Sequence, residues 1–104
     1  MNNYKLFIGL FDKDTKSQLV STDNALKLVA DKVIWAFWFG TIYTWNGVYT
    51  HDNWEVVSEP TIIVETSTDE NWLNSFIQAI WKQLNQESIF YKVENAWNCV
   101  NINY

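Results

Sequence analysis

The sequence predicts an α+β sandwich in which two helices cover one face of an antiparallel sheet. Three observations carry this. Two stretches, 23–37 and 68–84, place apolar residues at three- and four-residue steps. The segments around them alternate or run apolar over strand-like lengths. Their order along the chain is strand, helix, strand, strand, helix, strand, the split βαβ arrangement.

Tyr4 to Phe11 reads as a strand in which Tyr4, Leu6, Ile8 and Leu10 alternate with Lys5, Phe7, Gly9 and Phe11. Both sets are largely apolar, as in a strand covered on two faces. Asp12 to Lys16 is a polar loop. Asp23 to Phe37 is the first helix, with Leu26, Val29, Ala30, Val33, Ile34 and Phe37 as its stripe, Ser21 or Thr22 as cap, and Gly40 closing the segment.

Thr41 to Thr50 and Glu55 to Glu65 are strands around the turn His51-Asp52-Asn53-Trp54. Asn46-Gly47 is a competing turn signal, but the later turn leaves arms of matched length. Gly47 then marks a bulge or a close approach, and Pro60 needs a bulge, a strand start or an edge. Trp54 takes a turn position that Gly normally fills, and Trp38 and Trp45 raise the same question. The second helix spans Thr68 to Leu84 behind a capping box from Ser67 to Glu70, with Leu73, Phe76, Ile77, Ile80, Trp81 and Leu84 as its stripe. Ser88 to Glu94 is a strand, and Asn98 to Ile102 a last extended piece.

With right-handed crossovers, this is a single ferredoxin-like βαββαβ domain over residues 1–104, with both helices on one sheet face. A monomer would keep the other face polar. Here the residues expected on it are aromatic. If Leu6, Ile8 and Leu10 form the core set, Phe7 and Phe11 lie on the open face; Tyr43 with Trp45, or Ile42 with Thr44, shares a face of the next strand; Phe90 alternates with Ile89 and Tyr91. Exposed apolar patches of this kind mark interaction sites, and Trp and Tyr are favoured anchors there. Phe7, Phe11, Tyr43, Trp45, Trp54 and Phe90 are therefore the candidate interface or ligand residues. Trp81 falls on a helix stripe and reads as core, whereas Trp35 and Trp72 fall off theirs and read as exposed or intermolecular.

Composition narrows the function. Aromatic residues make up 17% of the chain, with seven Trp against three Gly. The net charge is -5, from 12 acids and 7 bases, and every base is a scattered Lys. Clustered Lys and Arg, the footprint of nucleic-acid binding, are missing, and an anionic membrane surface is disfavoured on the same ground. Cys99 and His51 are each alone, so no zinc site can be built from such residues in one chain. Asp12-Lys13-Asp14 is a fragment of a calcium-type loop without its remaining ligands. No cofactor or metal is expected. The N-terminus lacks a leader pattern, and the apolar run Val33 to Phe39 is too short to span a bilayer, which gives a cytoplasmic expectation.

Short motifs carry a resemblance. Leu6 to Leu10, Gly47-Val48-Tyr49, Glu59-Pro60, Gln86-Glu87-Ser88 and Cys99-Val100 resemble a family of small bacterial proteins described as a domain of unknown function. The resemblance departs at Tyr49, where that family tends to have Trp, and at Trp54, where its turn is Gly-rich. It implies a compact α+β domain beside the dimeric ferredoxin-like barrels, and no reaction.

Candidate chemistry is sparse. His51 beside Asp52 could act as a base held by a carboxylate, but a solvated turn residue is the simpler reading. Cys99 on a terminal strand reads as packing. Glu59 and Glu87 could pair as acid and base, or Glu87-Ser88 could close the helix–strand junction through backbone bonds. The expected function is a non-enzymatic homodimer or higher homo-oligomer assembled through the aromatic sheet face, able to hold a small planar ligand. The alternative is a cofactor-free enzyme of the dimeric α+β barrel type acting on an aromatic substrate, with His51, Tyr49 or Glu59 handling protons. A phage or mobile-element accessory protein that blocks a host partner is a third reading.

Overall fold

The structure, a computed structural model, describes residues 1–50, 53–86, 88–93 and 96–101, with Tyr49, Ser88 and 96–101 described by backbone alone. The elements are β1 (Asn2–Gly9), α1 (Thr22–Phe37), β2 (Thr41–Thr50), β3 (Val56–Thr68), α2 (Glu70–Leu84), β4 (Ser88–Val93) and β5 (Ala96–Asn101). The sheet runs β2-β3-β1-β4-β5, and every neighbouring pair is antiparallel. The first four of these strands and the two helices form the predicted ferredoxin-like sandwich. The last extended piece is a full strand, paired with β4 along its length.

Both helices press on the face formed by Tyr4, Leu6 and Ile8 of β1, Ile62 and Val64 of β3, and Ile89 of β4, all buried. Against these α1 sets Ala25, Val29, Val33, Ala36 and Phe37, and α2 sets Leu73, Phe76, Ile77, Ile80 and Leu84. Burying each larger aliphatic or Phe side chain contributes about 1.5–3 kcal/mol. The Phe37 and Phe76 rings meet with centroids 4.8 Å apart, tying the helices together. The α1 stripe is rotated from the predicted one. Ile34 points to solvent, and Ala25 and Ala36 are buried, because small residues let the helix lie close to the sheet and its neighbour.

Several boundaries differ from the sequence reading. Ser21 does cap α1, its hydroxyl accepting from the Asn24 amide at 3.2 Å. Ser67, however, does not cap α2. It lies in β3, where its hydroxyl hydrogen-bonds the Asn3 side chain, and Asp69 caps instead, accepting from the Trp72 amide at 2.8 Å. The β1–β3 ladder extends to Thr68 and takes Ser67 with it. α1 ends at Trp38 rather than Gly40: Trp38 is left-handed at φ 73°, and its amide donates to the carbonyls of Val33 and Ile34. Trp54 is left-handed as well, at φ 65°. Both positions suit Gly, and a side chain there costs about 1–2 kcal/mol.

Gly47 lies inside β2 opposite Glu59, which excludes the Asn46-Gly47 turn. Pro60 sits inside β3 without a bulge. The Leu10 amide donates to the Pro60 carbonyl at 3.0 Å, so residue 60 turns its main-chain groups toward the line of β1, just past the end of that strand at Gly9. Its missing donor therefore costs the ladder nothing within β1.

Candidate open-face site

Residues directly opposite in an antiparallel ladder project from the same face. Following the register across the sheet, Tyr43 of β2 pairs with Ile63 of β3, Ile63 with Phe7 of β1, and Phe7 with Phe90 of β4. One apolar row thus crosses four strands on the face away from the helices. The predicted Tyr43 and Trp45 share this face, while Ile42 packs toward the core. Ile63 is only 5% exposed although no helix covers it, which the rings flanking it in register explain. Trp45 and Phe90 remain 69% and 52% exposed.

The row has a charged side and a polar side. On one side lie Glu65, Lys5 and Lys92, in register with one another, and the Lys5 ammonium sits 5.8 Å from the Phe7 ring centroid. On the other side come Trp45, Thr61 and Gly9, then Gly47 and Glu59.

Glu59 lies on this face in a perturbed environment. Its carboxylate lies over Gly9, where a β-carbon would come within 2.6 Å of its Cδ and both oxygens. Oε2 accepts the Phe11 amide at 2.7 Å. Burial pushes the Glu59 carboxyl above the ordinary value, and the Phe11 bond offsets part of that rise. The Phe11 carbonyl in turn accepts from the buried Gln86 amide at 2.8 Å, so this backbone unit is clamped on both sides. Thr61 donates its hydroxyl to the Glu59 carbonyl at 3.0 Å and leans over Gly47, where a β-carbon would meet Oγ1 at 2.8 Å. Two glycines therefore make room for Glu59 and Thr61.

Of the predicted residues, Phe7, Tyr43, Trp45 and Phe90 come together on this face, with Glu59 beside them. Phe11 does not join the row, because β1 ends at Gly9 and Phe11 makes an isolated bridge to Gln18. Trp54 lies in the β2–β3 connection, 83% exposed and off the sheet face. His51, Asp52 and Glu87, and the side chains of Tyr49 and Cys99, lie outside the described residues. Sequence reasoning missed Gly9 and Thr61. The signal for Gly9 is its small size opposite a Glu–Pro strand, readable only once the register is known.

The remaining indoles divide as predicted for two of them. Trp35 and Trp72 are exposed and meet edge-to-face, centroids 5.8 Å apart, bridging the helices. Trp81 is half-buried against the core, with the Lys13 ammonium 5.4 Å from its ring centroid. Asp12-Lys13-Asp14 is a structured turn. Asp12 accepts from the amides of Asp14 and Thr15 at 2.9 Å and from the Asn85 side chain at 2.7 Å, locking β1's exit to the end of α2. Among the described residues no group of three His, Cys, Asp or Glu is placed to hold a metal. No described helix is long and apolar enough to cross a membrane.

No family model matches the chain, and no curated protein matches it. Solved structures do share its fold. A phage SAM lyase in complex with S-methyl-5′-thioadenosine aligns with a TM-score of 0.63 at 15% identity, over 97% of this chain and 89% of the lyase. A phage SAM lyase in the apo state aligns with 0.64 at 14% identity, over 99% and 90%. The PII-like protein CutA from Nostoc sp. PCC 7120 aligns with 0.52 at 15% identity, over 89% and 78%. At these identities the likeness shows the fold: this chain is similar in architecture to small α+β proteins of both kinds.

Proposed function

We propose that this chain is a self-associating, small-molecule-binding protein whose open sheet face, with Glu59 at its margin, receives a flat ligand of the adenine-nucleoside class. The observation that carries this reading is the row Tyr43–Ile63–Phe7–Phe90 with Trp45 alongside, uncovered by either helix. Rings left half-exposed on one face call for a covering surface, and a second copy supplies one. Aromatic faces also stack on purines, at about 1–3 kcal/mol per base. The likeness in fold to a lyase solved with S-methyl-5′-thioadenosine supports that ligand class.

The test is titration with S-methyl-5′-thioadenosine and with S-adenosylmethionine, followed by calorimetry and tryptophan emission. Saturable binding is expected, with Trp45→Ala weakening it about tenfold or more. Sedimentation is expected to give a mass above one copy. A lone monomer with no binding at millimolar ligand overturns the proposal.

A second reading is favoured by Glu59 specifically. A carboxyl raised by burial above its ordinary value, beside an aromatic surface, is a stronger base than an ordinary Glu and suits proton abstraction. The chain would then be a cofactor-free lyase of a sulfonium nucleoside. The sulfur–carbon bond breaks with its electron pair left on sulfur, a proton from the departing carbon fragment passes to Glu59, and that C–H pair becomes the new double bond. Release of S-methyl-5′-thioadenosine, lost in Glu59→Gln while binding persists, supports it; binding without turnover removes it.

A further inference from the structure

We infer that the free edge of β2 pairs, main chain to main chain, with a strand of a second copy of this chain. This rests on the proposed self-association and specifies where the copies join.

The direction of the main-chain groups follows from the register. Residue 60 turns its groups toward β1, as the Leu10-to-Pro60 bond shows. Alternation then turns Val57, Glu59, Thr61, Ile63 and Glu65 toward β2. Their partners Tyr49, Gly47, Trp45, Tyr43 and Thr41 turn back to β3. The amides and carbonyls of Ile42, Thr44, Asn46 and Val48 therefore face outward, and among the described residues β2 is the last strand on its side of the sheet.

Natural sheets guard such edges with charge, proline, bulges or short strands. β2 has none of these. It runs ten residues, Thr41–Thr50, in unbroken register with β3, without one charged residue or proline. The occupant is the second copy of the proposed assembly: the -5 that each copy carries opposes association, and β2, with no charged residue, brings no like charges together when two copies lie along it. Pairing also covers Trp45 and Val48, each 69% exposed, and prolongs the face that holds Tyr43 and Trp45.

The test is sedimentation of the wild type, Thr44→Pro, Val48→Pro and the control Thr44→Val. Each proline removes an outward donor and leaves the β3 ladder intact. Assembly weakened tenfold or more in both proline variants, with unchanged circular dichroism and an unaffected control, supports the pairing. Proline variants that assemble like the wild type overturn it, as does a wild type monomeric at a hundred micromolar. Phe90→Ser, on the far side of the face, separates this from the reading above. If Phe90→Ser dissociates and Thr44→Pro does not, the edge pairing fails and the face contact stands; the reverse keeps the edge and removes the face. Hydrogen exchange on the wild type needs no folded variant. Amides of Thr44, Asn46 and Val48 should be protected only at assembling concentrations, and those of Tyr43 and Trp45 at all concentrations; equal exposure of the even set throughout overturns the inference.

Discussion

The carboxylate of Glu59 occupies the space that a side chain at residue 9 would fill. A β-carbon on Gly9 would lie 2.6 Å from Glu59 Cδ and both carboxylate oxygens, while Oε2 accepts the Phe11 amide at 2.7 Å. Gly9→Ala should therefore swing the Glu59 side chain into water and leave the Phe11 amide without its acceptor. A stability loss of about 1 kcal/mol is expected, at the low end for overpacking, because the flexible carboxylate end can give way. NMR titration should show the Glu59 pKa falling to the ordinary Glu range. An unchanged pKa would mean the carboxylate is not held over Gly9.

The sign of the Glu59 pH effect is set by its raised pKa. Burial raises it, so the fold disfavours the ionised form. Stability contributed by the protonated carboxyl is present below the unfolded value and is lost as pH rises through the folded one. Glu59→Gln should flatten this part of the pH–stability curve, and at pH 7 it should melt no lower than the wild type. The amide oxygen can still accept from Phe11. A markedly lower melting temperature at pH 7 would assign the ionised carboxylate a stabilising partner instead.

Trp38 and Trp54 are left-handed and 85% and 83% exposed, so each has conformational strain with little burial in return. Trp38→Gly and Trp54→Gly should each stabilise the chain, by about 1 kcal/mol or somewhat less after the added freedom of Gly in the unfolded state. Chemical denaturation with unchanged m-value reads this directly. A loss of stability in either variant would show that its indole is covered in the assembled protein.

Asp12 behaves oppositely to Glu59. The Asn85 side-chain bond, followed by the Thr15 amide, lowers its pKa below the ordinary value. Its contribution to stability is present above the unfolded value and is lost as pH falls through the lowered one. Asp12→Ala should reduce the melting temperature at pH 7 and weaken the acid limb of unfolding. Identical acid unfolding in variant and wild type would sever the tie between the β1 exit loop and α2.

Local pattern in the chain was enough for the elements and their order. Stripes such as Leu73-Phe76-Ile77-Ile80-Leu84 and the alternation in Tyr4 to Leu10 are properties of short windows, and the structure keeps them. The expectation that Trp54 takes a Gly position is also local, since it concerns one residue's backbone freedom, and its φ of 65° agrees. The open-face row could be suspected but not composed. Tyr43 with Trp45 and Ile42 with Thr44 were equally open until pairing chose between them, because a slip of one residue exchanges the two faces of a strand. Tertiary pairing alone put Glu59 over Gly9, fifty residues away, took Ser67 from the helix cap into the sheet, and left Phe11 beyond the end of β1. These depend on which strands meet and in what register, and burial of the whole core decides that at once.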